Sequence, residues 1–511
     1  MAKSKRPNRK SAGANGGGSL PKTTDLKIGP TGRLIVTLKP EASPRDLASA
    51  LANIAGVKVA LSSDFENAVA TDDALDGAGA LVLEHIHAAI IDPDTDQVRA
   101  LEAAVDDESN PILAVEPEQY VVAFDEQEYY VEEGQEQEEA FVTAAGRDYL
   151  RGYTDAVRTV ADQILRPTKD GAVEAETETE IAAVYADTAT HTWGLQATRV
   201  PQSNCTGRNM RVAVLDTGMD LTHPDFAGRN IIPASFVPGQ TAQDGHSHGT
   251  HCIGTACGPL NPPGNTRRYG IAYQSSILVG KVLNNSGSGM QGWILTGINW
   301  AIQNRATVIS MSLGSPVTLG TPFSPAYEQA AQAALNNGCL IVAAAGNSGA
   351  NPQFNPVGSP ANCPSVMAVG AVDQSLQRAT FSCIARNPNG GELNIAAPGV
   401  AVFSTVPMPT RYGVMSGTSM ATPHVAGIAA LYAQWTGKRG RDLWNAVVAG
   451  ALNINQPAAH VGAGLVQACR CLPVIRPPRR FPIRNPLPFP PRFPSPAPII
   501  PRLPKLPGQQ S

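Results

Sequence analysis

The chain has 511 residues, with 42% hydrophobic and 16% charged side chains and a net charge of −4. This length suits a large buried core joined to less compact segments better than it suits one domain. The charge balance gives no global reason to expect nucleic acid binding. The sequence holds no run of about 18 apolar residues, and no apolar segment follows the basic N-terminus, so we expect neither a membrane span nor a Sec signal peptide.

Residues 1–27 are basic and then glycine-rich, which predicts disorder. Between residues 28 and 124, apolar runs alternate with helical patterns, and their βαββαβ order predicts a small ferredoxin-like α+β domain. The strands are predicted at 34–38, 57–61 and 112–116, with 80–83 and 88–91 together offering the remaining strand, and the helices at 44–54 and 95–105.

Residues 125–190 are predicted to be a linker. Their first fifteen positions, 125–139, carry eight acidic side chains and no basic one. Further on, apolar side chains recur every three or four positions from Leu150 to Ile164, which indicates one amphipathic helix. Two heptads are short for a coiled coil, so packing against a neighbouring domain is favoured.

Residues 191–471 contain apolar, β-branched runs separated by helical patterns. This alternation predicts a doubly wound, mostly parallel α/β sheet with active residues at the carboxyl ends of its strands. The strands are predicted at 210–215, 277–283, 307–312 and 340–343, and the helices at 291–303 and 324–336.

Residues 472–511 hold 14 prolines, seven Arg or Lys and no Asp or Glu. Such a tail cannot build a core, and polyproline II is its expected local conformation. It could be a basic spacer, a ligand for an aromatic groove of a partner domain, or a solubilising tail.

The eight cysteines all lie between residues 205 and 471. They could form up to four disulfides, and the sequence does not give their pairing. Their number favours an oxidising, extracellular compartment, whereas the missing signal peptide favours the cytoplasm. We expect a cytoplasmic protein, with secretion as the alternative.

A candidate nucleophile lies in the segment 417–427, Gly-Thr-Ser-Met-Ala-Thr-Pro-His-Val-Ala-Gly. Small residues surround Ser419 where an apolar helix begins, and the backbone N–H groups of a helix N-terminus favour a developing oxyanion. A serine at this position is more often an N-cap, so a base and an orienting carboxylate are needed.

Both groups occur upstream of the serine. The predicted strand 210–215 delivers Asp216 at its carboxyl end, where it could orient an imidazole. The candidate base is His248 in the segment Asp-Gly-His-Ser-His-Gly-Thr-His, with His246 and His251 as rivals.

Together these segments resemble the subtilisin-like serine proteases, or subtilases, because Asp-Thr-Gly, His-Gly-Thr-His and Gly-Thr-Ser-Met-Ala occur in the family's order. The resemblance implies a triad of Asp216, His248 and Ser419, with Asn347 of Ala-Ala-Ala-Gly-Asn-Ser-Gly as a donor to the oxyanion. It also implies that substrate is bound by Ser288, Gly289, Ser312, Leu313, Gly314, Ala345 and Gly346.

The domain at 28–124 is similar in position and element order to the subtilase propeptide, an inhibitory module whose last strand enters the active site. The resemblance therefore implies a propeptide acting in cis, and we expect self-cleavage between Phe124 and Thr192. From Gly346 to Val372 there is no Asp or Glu, which predicts a preference for large apolar residues before the cut.

The family's chemistry needs no cofactor, and its commonest structural ion is calcium. Asp225 in His-Pro-Asp-Phe matches a calcium ligand of many subtilases and is a tentative metal-binding residue. A structural calcium is an expectation from the resemblance, although the stretch 257–269, where a calcium loop would lie, offers no carboxylate.

The sequence thus predicts a serine endopeptidase made as an autoprocessed zymogen, which acts on protein or peptide substrates through an acyl-enzyme. Two alternatives stay open. The same triad could pass the acyl group to an amine, as a transpeptidase or macrocyclase does. A protease fold without activity could also serve as a binding scaffold, although no catalytic position is substituted.

Overall fold

A computed structural model describes residues 29–39, 41–65, 71–107, 109–124, 184–264 and 266–470. The predicted disordered N-terminus, the helix predicted at 150–164 and the proline-rich tail lie outside these residues. All described residues belong to one compact unit.

The N-terminal part forms an antiparallel sheet with helices packed on it. Its strands are β1 (Pro30–Leu38), β2 (Val59–Leu61), β3 (Ala80–Leu83), β4 (Ala88–Ile91) and β5 (Ile112–Ala123), and its helices are α1 (Pro44–Ile54), α2 (Thr71–Gly77) and α3 (Thr95–Val105). The order β5-β1-β4-β3 follows the ferredoxin-like pattern, and β2 adds a parallel strand at the edge. The helix α2 was not predicted.

Local sequence explains where the two predicted helices of this part begin. Ser43 caps α1 by accepting a hydrogen bond from the Asp46 N–H, and the Asp46 carboxylate accepts one from the Ser43 N–H in return. Asp94 and Gln97 form the same reciprocal pair at the start of α3. Such capping boxes satisfy backbone donors that a helix start leaves unpaired.

The larger sheet has seven strands, and every neighbouring pair is parallel. In spatial order the strands are β14 (Ile395–Pro398), β13 (Met367–Val372), β12 (Leu340–Ala344), β10 (Val308–Met311), β6 (Arg211–Asp216), β8 (Ser276–Lys281) and β7 (Ile231–Ser235). The predicted α/β class is confirmed. Four short strands lie outside this seven-stranded sheet, namely β9 (Ser288–Met290), β11 (Leu313–Gly314), β15 (Val402–Thr405) and β16 (Tyr412–Met415).

The helices of this part are α4 (Trp193–Ala197), α5 (His248–Cys257), α6 (Gln291–Gln303), α7 (Pro325–Asn336), α8 (Thr418–Thr436), α9 (Gly440–Ala449) and α10 (Ala458–Val461). Short 3₁₀ turns occupy Ser62–Asp64, Val200–Gln202 and Pro224–Phe226. In α5 every residue is buried, and in α8 every residue from Thr418 to Ala433 is buried. A helix that is apolar on all sides belongs in the core, and these two carry the candidate base and nucleophile.

Strand β5 joins the two parts of the molecule. It was predicted at 112–116. Instead it continues to Ala123 and pairs antiparallel with β9 and β11. Glu116 and Glu118 of this strand contact Gln291 and Gly292 of the larger part of the molecule.

Cysteine pairing is sparse in the described residues. Cys205 is disulfide-bonded, and six further cysteines are buried free thiols: Cys252, Cys257, Cys339, Cys363, Cys383 and Cys469. Four disulfides are therefore excluded. No described helix combines the length and the apolar character needed to cross a bilayer.

Candidate active site

Asp216 and His248 meet where strand β6 ends and helix α5 begins. His248 Nδ1 lies 2.7 Å from Asp216 Oδ1, and both side chains are buried. The same carboxylate oxygen accepts a hydrogen bond of 2.7 Å from the Thr217 N–H. Because Nδ1 is bonded to the carboxylate, Nε2 is the ring atom through which His248 would exchange a proton.

Two glycines allow helix α5 to approach the end of β6 closely. A Cβ atom on Gly249 would lie 2.2 Å from the Gly218 carbonyl oxygen. Gly218 itself has a φ of +105°, and a Cβ there would lie 2.4 Å from the Ala242 carbonyl oxygen. Any larger residue at either position would push the imidazole away from the carboxylate.

Ser419 is the second residue of helix α8, which follows Gly417, whose φ of +153° favours glycine. Its Oγ lies 2.8 Å from the carbonyl oxygen of Phe124 and 3.1 Å from that of Ser312. Pro423 lies inside the helix and has no N–H to donate to the Ser419 carbonyl oxygen. That oxygen accepts hydrogen bonds from Ser312 Oγ (2.8 Å) and Cys252 Sγ (3.5 Å) instead. The serine hydroxyl therefore faces a peptide carbonyl at the end of β5.

Asn347 approaches the same carbonyl oxygen. Its Oδ1 accepts hydrogen bonds from the Thr418 N–H (2.9 Å) and from Thr418 Oγ1 (2.8 Å), which fixes the orientation of the amide. Its Nδ2 then donates to the Phe124 carbonyl oxygen over 2.8 Å. A carbonyl oxygen held by a fixed donor beside a serine hydroxyl is the arrangement that stabilises an oxyanion.

The ring of Phe124 fills a pocket made by glycines. Its side chain is buried, with 1% of its surface exposed. Cβ atoms on Gly314, Gly358 and Gly346 would lie 2.6, 3.6 and 3.8 Å from ring carbons. No Asp or Glu occurs from residue 346 to 372, so this pocket wall offers no carboxylate to a cationic side chain.

The predicted substrate-binding residues lie on both sides of β5. On one side Val122 pairs with Ser288 and Val121 with Gly289; on the other, Ala123 pairs with Leu313 and Val122 with Gly314.

The remaining predicted positions complete this arrangement. The Ser312 carbonyl accepts a bond of 3.4 Å from the Phe124 N–H. Gly346 borders the ring and donates its N–H to Thr418 Oγ1 over 3.2 Å, while Ala345 supports the pocket wall by accepting the Gly358 N–H at 2.9 Å.

Comparison with known proteins agrees with this geometry. Residues 207–464 match the model of the subtilase family. The chain is 42% identical to Subtilisin NAT of Bacillus subtilis subsp. natto over 301 residues, which cover 57% of this chain and 74% of the relative. The chain belongs to the subtilase family. It is also 44% identical to Subtilisin of Bacillus pumilus over 254 residues (48% and 86%) and 45% identical to Subtilisin Savinase of Lederbergia lenta over 246 residues (47% and 84%).

As a subtilase, the chain is a serine endopeptidase, a hydrolase that needs no cofactor for catalysis. The two rival histidines have other positions in this site. His251 Nε2 lies 3.0 Å from the Val402 carbonyl oxygen, and burial lowers the pKa of His251 to about 3, so it stays neutral within the core. The ring of His246 lies 6.4 Å from that of His248 and borders Gly287, beside the substrate strand.

Asp244 is a residue of this subtilase site that the sequence did not reveal. Its buried carboxylate accepts hydrogen bonds from the N–H groups of His246, Ser247 and Thr250 and from the hydroxyls of Thr250 and Thr217. It thereby accepts hydrogen bonds from backbone N–H groups at the start of helix α5 and fixes that turn to the loop after Asp216. An aspartate four residues before a candidate base is a capping signal that could have pointed to it.

Cys252 packs beneath the candidate triad. Its Sγ lies 4.0 Å from His248 Nδ1 and 3.5 Å from the Ser419 carbonyl oxygen, and burial raises the pKa of this thiol. Ligand atoms of Cys252, His248 and Asp216 lie within 4.8 Å of one another. A metal ion there would have to break the bond between His248 and Asp216, so these residues serve the triad better than a metal.

The surroundings of Asp225 do not fit calcium. Its buried Oδ1 accepts a hydrogen bond of 2.8 Å from the Arg411 guanidinium, and its Oδ2 accepts one of 2.6 Å from the Tyr269 hydroxyl. The Tyr412 hydroxyl lies 3.1 and 2.9 Å from the two oxygens. Calcium needs six to eight oxygen ligands, whereas this carboxylate already faces a cation that would repel another. We therefore assign no metal to Asp225.

Proposed function

We propose that this subtilase is made as a zymogen that cleaves its own Phe124–Asp125 bond with a triad of Ser419, His248 and Asp216. One observation carries the proposal: the Phe124 carbonyl oxygen lies 2.8 Å from Ser419 Oγ and 2.8 Å from Asn347 Nδ2. The carbonyl that precedes this bond thus contacts both the nucleophile and a donor for the oxyanion.

Each group has one task in the proposed reaction. His248 takes the proton of Ser419 through Nε2 while Asp216 holds Nδ1, and Oγ bonds to the Phe124 carbonyl carbon. The negative oxygen is held by Asn347 and by the Ser419 N–H. The C–N bond then breaks as His248 returns the proton to the leaving amine. Water, activated by His248, hydrolyses the acyl-enzyme and releases the carboxylate.

The segment 28–124 is the propeptide in this proposal, and its contacts favour a complex that persists after the cut. Buried Glu118 accepts a hydrogen bond of 2.9 Å from the Gly292 N–H, in the first turn of helix α6. Glu116 accepts bonds from Gln291 Nε2 (2.7 Å) and Ser324 Oγ (2.5 Å), which lie at the starts of helices α6 and α7. Carboxylates at helix N-termini are stabilised by the helix dipoles, so these contacts hold β5 in the cleft as an inhibitor.

The same geometry assigns the specificity of the mature enzyme. The residue before the cut occupies the glycine-lined pocket of Phe124, which offers apolar surface and no carboxylate on its 346–372 wall. A lysine or arginine there would be buried without a partner. Large apolar and aromatic residues are therefore the favoured side chains at that substrate position.

A peptide assay with three proteins tests the proposed reaction. Wild type should hydrolyse a peptide with Phe before the cut and should label with a fluorophosphonate, whereas Ser419→Ala should do neither. Ser416→Ala is the matched control, because Ser416 lies three residues earlier and its hydroxyl accepts the Ala401 N–H, away from the triad. Absence of labelling in wild type would favour the scaffold alternative, and products joined to an added amine would favour transpeptidation.

The inhibitory role is tested with residues 29–124 expressed separately and added to mature enzyme. Wild-type segment should inhibit peptide hydrolysis, and Glu116→Ala should weaken inhibition because Gln291 and Ser324 lose their acceptor. Glu102→Ala, an exposed change on helix α3, should not. Unchanged hydrolysis at micromolar wild-type segment would remove the propeptide assignment.

A further inference from the structure

A buried lysine lies beneath the active site and takes no part in the proposed reaction. Lys281 is the last residue of strand β8, in register with Asp216 at the end of β6, and its side chain is fully buried. Its Nζ donates hydrogen bonds to the Thr217 carbonyl oxygen and to Asn285 Oδ1, the latter over 2.8 Å. Since an ammonium group is rarely buried without a compensating role, this position calls for an explanation.

The two acceptors connect Lys281 to separate loops of the site. Thr217 directly follows Asp216, so one bond holds the loop that carries the carboxylate. Asn285 lies in the turn before β9, and the Gly287 carbonyl of that turn accepts the Ala123 N–H over 2.8 Å. The second bond therefore holds the turn that binds the backbone of the substrate strand.

Asn285 also supports the segment that leads to the base. A Cβ atom on Gly245 would lie 2.5 Å from the Asn285 Cγ, so this amide packs directly against the chain three residues before His248. Lys281 thus holds the loop after Asp216 directly. Through Asn285 it also supports the turn before β9 and the segment that leads into helix α5.

Charge gives Lys281 a second task. The ionisable groups that attract its ammonium are Asp244 and Asp216, while burial lowers the pKa of Lys281 to about 8. Both carboxylates are buried, and His248 lies on the other side of Asp216. One ammonium therefore offsets part of the negative charge that two buried carboxylates place near the catalytic imidazole.

We propose that Lys281 is a positioning residue for peptide hydrolysis, which balances the charge of Asp216 and Asp244 and fixes the Asp216 loop to the turn that binds substrate. The inference rests on the proposed endopeptidase activity. It assigns two separable effects, one on the protonation of His248 through charge and one on substrate binding through Asn285.

Three variants separate these effects in assays of kcat and KM against pH. Lys281→Gln keeps a donor but loses the charge. Its kcat/KM should fall about tenfold or more. The acidic limb of its profile of kcat/KM against pH should move up by about 0.5 to 1 pH unit, because the His248 imidazolium releases its proton less readily without a neighbouring cation. Lys281→Arg keeps the charge and should leave the limb near its wild-type position. Asn285→Ala also keeps the charge, and it should raise KM several-fold without moving the limb.

The outcomes are distinguishable from failure of the proposed function. Inactive wild type would remove the function itself, whereas active wild type with an unmoved limb in Lys281→Gln would overturn the charge role. An unchanged KM in Asn285→Ala would overturn the substrate-turn role, and this result can be obtained even if Lys281→Gln does not fold. If mature Lys281→Gln does not accumulate although the chain folds, the pH dependence of full-chain processing measures the same limb in a single turnover. An unmoved limb there would also overturn the charge role.

Discussion

Truncation of Phe124 to alanine in separately expressed residues 29–124, the proposed propeptide, should weaken their inhibition of the mature enzyme about 50- to 100-fold. The ring is buried among three glycines, and only 1% of the side chain remains exposed. Removal of the ring withdraws about 100 Å² of apolar contact area, which corresponds to about 2.5 kcal/mol at about 25 cal/mol per Å². A loss of that size is nearly two orders of magnitude in the inhibition constant.

The assay is the inhibition constant of residues 29–124 against hydrolysis of a chromogenic peptide. Phe124 does not belong to the apolar cluster around Leu47, Val82 and Ile112 that holds the segment's own fold, so the variant should fold as wild type does. Leu113→Ala is the matched control, because Leu113 lies on the same strand but is 45% exposed. A change below about threefold for Phe124→Ala, or an equal loss for Leu113→Ala, would refute the assignment of the pocket.

Three further outcomes are expected. Asn347→Ala should lower kcat far more than it raises KM; the scale of about 10²–10³ is the one known for the equivalent donor of subtilisin rather than a value worked out from distances. Burial lowers the pKa of His251 to about 3 and that of His424 to about 4. The unfolded chain therefore binds more protons below about pH 6.5. The free energy of unfolding of inactive Ser419→Ala, measured by urea denaturation, should decrease as the pH is lowered from 6.5 to 4, by about 1.4 kcal/mol per pH unit for each histidine; a flat profile would contradict this. Asp225→Ala should lower the free energy of unfolding by about 1–3 kcal/mol, because buried hydroxyls lose their acceptor. A chelator should not lower the melting temperature through this position. Calcium that stabilises Arg411→Ala but not wild type would support the view that the guanidinium takes the place of a metal cation.

Short glycine-rich motifs made the candidate triad predictable. Gly218 and Gly249 mark a close approach of two backbones, and each stands beside a residue whose chemistry needs that approach. Four of the seven parallel strands, β6, β8, β10 and β12, were predictable as well, because they are continuous apolar runs; β7, β13 and β14 were not predicted.

Charged residues inside the molecule were harder to predict, because a sequence does not show which partner will neutralise them. Asp225 resembles a calcium ligand until Arg411, 186 positions away, is seen to donate to it. Lys281 is one lysine within an apolar run until the Thr217 carbonyl and Asn285 are found beside it. Glu118 is a buried carboxylate whose donors come from both parts of the chain, Arg33 of the same sheet and the Gly292 N–H of helix α6.

The most direct test of self-cleavage by Ser419 is the mass of the N-terminal fragment released when the full chain matures in a host that lacks other proteases. We predict that this fragment ends at Phe124, because that residue's carbonyl oxygen lies 2.8 Å from Ser419 Oγ. We also predict that Ser419→Ala keeps its full mass. A fragment that ends at another residue, or Ser419→Ala processed at the same bond and rate, would contradict the proposed cleavage.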